Sequence, residues 1–198
     1  MTEINQRKAD HPVHSIFLER WSPRAFTGED IGKEELLALF EAARWAPSAS
    51  NLQPWRFVYA RRATDSFARL LGTLDEGNQR WAKMASALVI ILSKTHRVTS
   101  SGEVRSAATH AFDTGAAWFA LALQTQLAGW HAHAMAGIDR EKAMQVLEVP
   151  EHHRVEAAVA IGKRAEPATL PDDLREREKP SQRKPIGEFV FEGRFGAD

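Results

Sequence analysis

Two arginines four positions apart flank a serine near the beginning of the chain. Arg20 and Arg24 lie on either side of Ser22, with Trp21 and Pro23 between them. A guanidinium group presents a planar fork of donors that fits phosphate oxygens, and a serine hydroxyl adds a neutral donor. This spacing is compatible with a site for one phosphate dianion, but taken alone it favours a pair of solvated arginines at the end of a helix.

A second cluster of hydrogen-bonding side chains lies between a predicted helix and a predicted strand. Side-chain amides both donate and accept, which suits a heterocycle edge with alternating donors and acceptors, such as a flavin pyrimidine ring. An ordinary loop is the alternative, because serine, asparagine and proline favour loops. The cluster comprises Pro47, Ser48, Ser50, Asn51 and Gln53, followed by Pro54 and Trp55.

The histidines raise the alternative of a metal site. His131 and His133 lie on the same face of a predicted strand, and His152 is followed by His153. No third ligand accompanies either pair at a recognisable spacing, so we predict structural roles and no metal. His110 falls on an apolar helix, which favours a buried, hydrogen-bonded histidine over an acid–base catalyst.

Composition limits the chemistry that the chain can perform. It contains no cysteine, so thiol, disulfide and iron–sulfur chemistry are excluded, and a redox reaction needs a bound cofactor. The formal net charge is zero, which argues against nucleic-acid or anionic-membrane partners. Residues 1–12 lack the apolar core of a signal peptide, and the longest apolar run, 87–92, is too short to span a bilayer. We therefore expect a cytoplasmic protein.

Periodicity predicts helices that alternate with strands, and no linker or internal repeat divides residues 1–198. This pattern favours one domain of the α+β or three-layer α/β class. The predicted helices cover 13–20, 33–45, 63–71, 78–85, 107–127 and 140–147, the predicted strands cover 55–59, 87–92, 130–135 and 155–161, and the polar stretch 96–103 is predicted to be a loop.

Two further stretches are unusually apolar for their context. The predicted helix 107–127 is apolar almost all round, which indicates a place in a core or a subunit interface. Residues 165–198 are rich in proline and charge, yet they contain Phe189, Val190, Phe191 and Phe195. We expect this C-terminal extension to wrap along a surface and to dock at its end.

Together, the two polar clusters closely resemble the opening of the nitroreductase family of FMN enzymes. That family has Arg-x-Ser-x-Arg/Lys-x-Phe after a short helix, then a helix, then Pro-Ser-x-x-Asn-x-Gln-Pro-Trp before a strand. Residues 20–26 and 47–55 match these motifs in order and spacing. The resemblance continues in 133–137, like the family's turn beside the flavin, and in 183–185 and 193–196, like its C-terminal segment. It therefore spans most of the chain.

The resemblance implies a three-layer α/β/α nitroreductase-like fold of the α+β class. Its central sheet would have about four or five mostly antiparallel strands flanked by helices. It also implies a homodimer in which the C-terminal extension 165–198 is exchanged between subunits. The implied activity is that of an FMN-dependent oxidoreductase, which takes hydride from NADH or NADPH and reduces a small aromatic or conjugated acceptor by a ping-pong mechanism. The flavin would carry the chemistry, with no catalytic side chain.

The resemblance also implies a role for each residue of the cofactor site. The ribityl phosphate would be held by Arg20, Ser22, Arg24 and Arg183, with Trp21 beside them. Asn78 would hydrogen-bond the flavin ring, and Ala136 and Gly137 would lie near its N5 atom. The other subunit would line the flavin with Pro47, Ser48, Ser50, Asn51 and Gln53.

Two positions depart from the family pattern. Trp81 stands where some nitroreductases carry a lysine, and Ala136 where some carry a glutamate, so the pocket differs and the acceptor stays open. The alternatives are a dehalogenase, an enal reductase or a flavin-processing enzyme on the same fold, a flavin-binding protein without turnover, and a domain that binds a phosphate ligand through its arginines alone. No Gly-x-Gly-x-x-Gly segment follows a predicted strand, which agrees with transient binding of the nicotinamide nucleotide.

Overall fold

In the computed structural model, which describes residues 5–196, helices alternate with strands. The predicted domain 1–198 includes residues 1–4 and 197–198, which lie outside the described part. The helices are α1 (Ile16–Glu19), α2 (Lys33–Arg44), α3 (Asp65–Leu71), α4 (Glu76–Ala82), α5 (His110–Leu127), α6 (Arg140–Val146) and α7 (Asp172–Arg175). The strands are β1 (Trp55–Arg61), β2 (Ala87–Lys94), β3 (His96–Val98), β4 (Val104–Ser106), β5 (His131–Met135) and β6 (His153–Gly162). Short 3₁₀ turns cover Ala49–Asn51, Pro167–Thr169 and Ile186–Glu188.

The central sheet has four strands in the order β1-β2-β6-β5, and every neighbouring pair is antiparallel. This confirms the predicted antiparallel sheet. β2 occupies an inner position, and its residues from Ala87 to Ser93 are all buried. The continuous apolar run of that strand follows from its position, because helices cover both faces of the sheet.

Alternate residues of β2 point into two separate cores. Leu88 and Ile90 pack in one core, together with side chains of α3, α4 and α6. Val89 and Ile91 pack in the other, together with side chains of α2 and α5. The period of two along the strand therefore builds a sheet between two helical layers, and the predicted three-layer α/β/α fold is confirmed.

The predicted loop 96–103 is wrong in part, because the structure forms a hairpin there. β3 and β4 are joined by three residue pairs, from His96–Ser106 to Val98–Val104. Both valines are exposed. Strands this short, with no buried face, lack the alternation of apolar and polar residues that indicates a strand in a sequence.

Two helices begin elsewhere than predicted because of their N-terminal turns. α4 begins at Glu76 and ends at Ala82, whereas 78–85 was predicted. The Asp75 carboxylate accepts the backbone N–H of Asn78 at 2.7 Å, so Asp75 caps the helix. α5 begins at His110 rather than at 107, because the His110 N–H bonds the Ala107 carbonyl in a separate turn.

α5 is less uniformly apolar than its sequence suggests. Asp113 and Thr114 are buried in its first turns, whereas Phe112 is 82% exposed. Phe119 and Leu127 are exposed on the same side of the helix as Phe112, and we call these three residues the α5 stripe.

Among the described helices, none is long and apolar enough to cross a membrane.

The described end of the C-terminal extension is exposed on its own protomer, so its docking on a partner subunit stays a prediction. Residues 181–190 are all exposed. The side chain of Phe195 is 95% exposed and contacts Phe191 at a ring-centroid distance of 5.0 Å. The sequence indicated correctly that these side chains are apolar, but a single chain supplies no surface that covers them.

Candidate functional site

A pocket of about 310 Å³ brings together segments from distant parts of the chain, and we call it the arginine pocket. It contains the phosphate-site residues predicted from the sequence together with side chains that were not predicted. Its lining consists of Arg7, Arg20, Trp21, Ser22, Arg24, His133, Arg177, Lys179, Ser181 and Arg183.

The arginine pocket is strongly electropositive. The guanidinium groups of Arg20 and Arg24 form no salt bridge with a described residue. Burial, and then the charge of Arg183, lowers the pKa of Arg20. Burial and Arg177 likewise lower the pKa of Arg24, against an opposing contribution from Glu178. The pocket thus holds half-buried guanidinium groups whose N–H donors form no salt bridge. A bound phosphate dianion would stabilise them by accepting these donors and by neutralising their charge.

Arg7 ties the walls of the arginine pocket together. Its guanidinium donates to the backbone carbonyls of Leu18 at 3.1 Å, Arg20 at 2.7 Å and Ser181 at 2.8 Å. The N-terminal segment therefore fixes the end of α1 against the C-terminal extension. No local motif surrounds Arg7, so sequence reasoning had no signal by which to find it.

His133 closes the inner wall of the arginine pocket. Its Nδ1 lies 3.0 Å from the Pro23 carbonyl oxygen, and its ring packs against Trp81 at a centroid distance of 4.7 Å. Burial lowers the pKa of His133 to about 4, helped by Arg24 and Arg20 and opposed by hydrogen bonds to Pro23 and Ser22. The ring is therefore neutral near neutral pH and donates Nδ1–H to Pro23. The prediction of a structural role missed this place in the pocket.

Acidification is expected to destabilise the protein through His133. Its folded pKa of about 4 lies below the ordinary value of 6.5, so between these values the unfolded chain binds a proton that the folded chain does not. The contribution of neutral His133 is fully present above the ordinary pKa and is lost as the pH falls to the folded one, by up to about 3 kcal/mol. Urea unfolding near neutral pH and near pH 5 is expected to show a smaller loss of stability for His133→Asn than for the wild type.

The exposed His14 provides the matched control for this experiment. His14→Asn is expected to lose as much stability on acidification as the wild type. An equal loss in His133→Asn and the wild type would show that His133 does not carry the pH dependence.

Asn78 and Gly137 meet at the junction of α4 and β5. The Asn78 side-chain amide donates to the Gly137 carbonyl at 3.1 Å, and the Asp75 N–H donates to the same oxygen at 3.2 Å. A Cβ atom on Gly137 would lie 1.9 Å from Asp75 Oδ2. Ala136, next to this junction, is exposed. Because Trp81 of α4 packs on His133 of β5, the two elements connect this cluster with the arginine pocket.

The loop 47–53 has an unusual backbone. Ser50, Asn51 and Gln53 adopt left-handed conformations with φ of 51°, 53° and 47°. The Ser48 hydroxyl accepts the Gln53 N–H at 3.0 Å, and Gln53 Nε2 donates to Asn51 Oδ1 at 3.0 Å. Pro47 and the side chains of Asn51 and Gln53 are exposed. Non-glycine residues in this conformation cost about 1–3 kcal/mol each and cluster at binding sites.

The loop 47–53 and the arginine pocket lie at opposite corners of the sheet. The loop leads into Trp55, the first residue of edge strand β1, whereas His133 lies on the opposite edge strand β5. The register aligns His133 with Ala60 of β1. The loop is therefore about 17 Å from His133 along the strands and about 14 Å across them. One chain does not bring its two predicted clusters to the same point.

The histidines do not converge on a metal site in the described residues, where no group of three or more His, Cys, Asp or Glu side chains is placed to hold an ion. Burial, with Arg164 and Lys163, lowers the pKa of His131 to about 4. His110 Nδ1 lies 2.7 Å from the Ser93 hydroxyl, which is the hydrogen-bonded histidine that the sequence predicts.

Comparison with known proteins finds one matching family and a similar structure that covers the whole chain. The sequence profile of the Nitroreductase family matches residues 18–163. A crystal structure described as an oxidoreductase containing FMN is 50% identical, covers 100% of both chains and superposes with a TM-score of 0.96.

Two relatives of known source are also similar to the chain. A putative NADH dehydrogenase/NAD(P)H nitroreductase of Streptomyces coelicolor is 39% identical over 84 residues, which is 42% of this chain and 40% of that protein. The CLA biosynthesis enone reductase of Lactiplantibacillus plantarum is 26% identical over 200 residues, with 84% of this chain and 92% of that enzyme covered.

Proposed function

The chain belongs to the nitroreductase family, and from that membership we propose that it is an FMN-dependent oxidoreductase which takes hydride from NADH or NADPH and reduces a small aromatic or conjugated acceptor. The single observation that carries the proposal is the arginine pocket, where half-buried arginines converge and Arg20 and Arg24 form no salt bridge with a described carboxylate. An FMN-containing protein of 50% identity over the whole chain supports the choice of cofactor.

The residues present fit FMN at both of its ends. Arg20, Arg24 and Arg183 would hold the phosphate, because bidentate guanidinium groups match its oxygens. The Asn78 amide and the turn at 136–137, in which Ala136 is exposed, would orient the ring from the neighbouring cluster. When bound, FMN would supply hydride transfer from the nicotinamide to the acceptor.

The chain itself supplies position and electrostatics rather than proton transfer. His133 is neutral near neutral pH, because its pKa is about 4, and Trp81 is buried beside it. Trp81 stands where some nitroreductases carry a lysine. The positive charge of this site therefore comes from the arginine pocket. Half-buried guanidinium groups of this kind would hold the phosphate dianion of the cofactor and so fix the position of its ring.

A second copy of the chain would complete the flavin site. The loop 47–53 points its polar side chains outward at the far corner of the sheet, where they do not meet the arginine pocket of their own chain. The α5 stripe and Phe195 offer apolar surface for a partner. We therefore propose a homodimer in which each flavin contacts the loop 47–53 of the partner and the C-terminal extension crosses between subunits.

Phe112→Glu is expected to convert the dimer into a monomer. Phe112 is 82% exposed in one protomer, so the substitution leaves the isolated fold intact but buries a charge in the proposed interface. Sedimentation velocity measures the mass, and FMN titration is expected to show affinity weakened at least about tenfold with the site incomplete.

Gln145→Glu is the control for the added charge, because Gln145 is exposed on α6, in the opposite helical layer from α5. This variant is expected to sediment as the wild type does. A Phe112→Glu protein that remains dimeric would exclude the α5 stripe from the interface.

Turnover with a panel of acceptors tests the proposed activity. Nitroaromatics, quinones, halophenols and enones are compared under NADH and under NADPH, with oxidation of the nucleotide followed by absorbance. An enone reductase is the second candidate, because the similarity to the CLA biosynthesis enone reductase covers most of both chains. Bound FMN that neither nucleotide reduces would favour a flavin-binding protein without turnover and would overturn the proposal.

A further inference from the structure

A buried carboxylate joins the C-terminal extension to the arginine pocket. Glu178 is 4% exposed, although glutamate is rarely buried. Its Oε1 accepts the backbone N–H of Arg24 at 2.8 Å and that of Ala25 at 2.9 Å, and its Oε2 accepts the Arg24 N–H at 3.0 Å. These bonds connect segments more than 150 residues apart. Hydrogen bonds to an ionised acceptor are the strong ones, and they offset the loss of hydration on burial.

The two neighbours of Glu178 carry positive charge into the arginine pocket. Arg177 and Lys179 both line it, as Arg24 does. Neither forms a salt bridge or a side-chain hydrogen bond with a residue in the described range 5–196. Because Glu178 is fixed on the backbone of residues 24 and 25, its two neighbours are placed along the rim of the pocket.

The charge of Glu178 also relieves repulsion inside the pocket. Arg177 lowers the pKa of Arg24, whereas Glu178 raises it. Without the carboxylate, no negative charge would offset the repulsion between the Arg24 and Arg177 guanidinium groups. That repulsion would push the segment that carries Arg177 away from the pocket. The hydrogen bonds of Glu178 and its negative charge therefore both hold Arg177 at the pocket.

We propose that Glu178 is a positioning residue which clamps the segment 177–179 onto residues 24 and 25, and that Arg177 and Lys179 are thereby further anion-binding residues of the arginine pocket. The identification of the anion as the phosphate of FMN rests on the proposed function. The clamp itself predicts binding of a phosphate group, whatever molecule carries it.

A double-mutant cycle in the full-length protein separates positioning from general stabilisation. The variants are Glu178→Gln, the pair Arg177→Ala with Lys179→Ala, and all three substitutions together. Affinities are measured by calorimetric titration of apoprotein with FMN and, separately, with inorganic phosphate. Thermal unfolding of each apoprotein records the change in stability.

We expect Glu178→Gln and the Arg177/Lys179 pair each to weaken both ligands by about tenfold. The triple variant is expected to be no weaker than the pair, because Glu178 acts on the ligand through the same two side chains. Glu176→Gln is the matched control, since Glu176 is exposed, lies two positions before Glu178, and its substitution removes the same charge. It is expected to bind as the wild type does.

Three results would overturn the proposal. They are unchanged affinity in the Arg177/Lys179 pair, effects that add in the triple variant, or equal weakening by Glu176→Gln. If Glu178→Gln does not fold, the Arg177/Lys179 pair alone decides. A wild type that binds phosphate but not FMN would refute the proposed function while leaving the clamp to be judged by the phosphate titrations.

Discussion

Arg20→Ala is expected to weaken FMN binding by about 100-fold, the size of effect that loss of a bidentate, partly buried guanidinium contact to phosphate produces. Arg20 lines the arginine pocket, and its guanidinium forms no salt bridge among the described residues. Calorimetric or fluorescence titration of the apoprotein with FMN measures the loss. The apoprotein is expected to be as stable as the wild type or more so, because the substitution removes a cation that burial and Arg183 disfavour.

Arg69→Ala is the control for the loss of a positive charge. Arg69 is exposed on α3, where it donates to Ser66, and its removal is expected to leave FMN affinity unchanged. Asn51→Ala provides a second comparison. A flavin site predicts that this substitution weakens FMN binding, whereas a site for the phosphate alone predicts unchanged FMN affinity. FMN affinity of Arg20→Ala equal to that of the wild type would place the phosphate elsewhere.

Gly137→Ala is expected to destabilise the protein by about 2–4 kcal/mol, through overpacking and loss of a helix cap. The added methyl group would lie 1.9 Å from Asp75 Oδ2 and 2.6 Å from Asn78 Nδ2. Asp75 caps α4, so the carboxylate must leave the Asn78 N–H to make room. Urea unfolding measures the loss of stability, and FMN titration is expected to show weaker binding because Asn78 moves with it.

Gly187→Ala is the control for replacing a glycine. No atom lies within 4 Å of a Cβ built at Gly187, so this variant is expected to unfold as the wild type does. Gly137→Ala with wild-type stability would mean that Asp75 and Asn78 have room to retreat, which would contradict the close packing at this junction.

The sheet and its helical layers were predictable because they rest on local periodicity. The apolar run 87–92 indicated a strand buried on both faces, and the structure buries it so. The hairpin β3–β4 was not predictable, because its short, exposed strands leave no pattern. Its pairing depends on the register between His96 and Ser106, which composition does not encode.

The arginine pocket was predictable only where a motif was local. The residue types and spacing of the segment 20–24 were compatible with a phosphate site, and the resemblance to the nitroreductase family implied that role. Arg7 and His133 were missed as lining residues of the pocket and Glu178 as its support, because each acts across a long stretch of chain, as in the bond from the Arg24 N–H to Glu178. Tertiary contacts of this kind carry no sequence period.

The exposure of apolar residues was the least predictable feature. The sequence indicated that 107–127 and the C-terminal extension are apolar, but it did not separate the buried side of α5 from the α5 stripe. Asp113 illustrates the reason: it is buried because its carboxylate accepts a hydrogen bond from the Thr109 hydroxyl one turn earlier and another from the Ala49 N–H of a distant segment. A hydrophobicity pattern alone would have placed it outside.

The absorbance spectrum of the purified protein, taken after incubation with FMN and removal of the free cofactor, tests the central claim most directly. We expect a yellow protein with stoichiometric FMN, whose flavin absorbance is bleached by NADH or NADPH without oxygen and returns when an acceptor is added. A colourless protein that retains no FMN would contradict it.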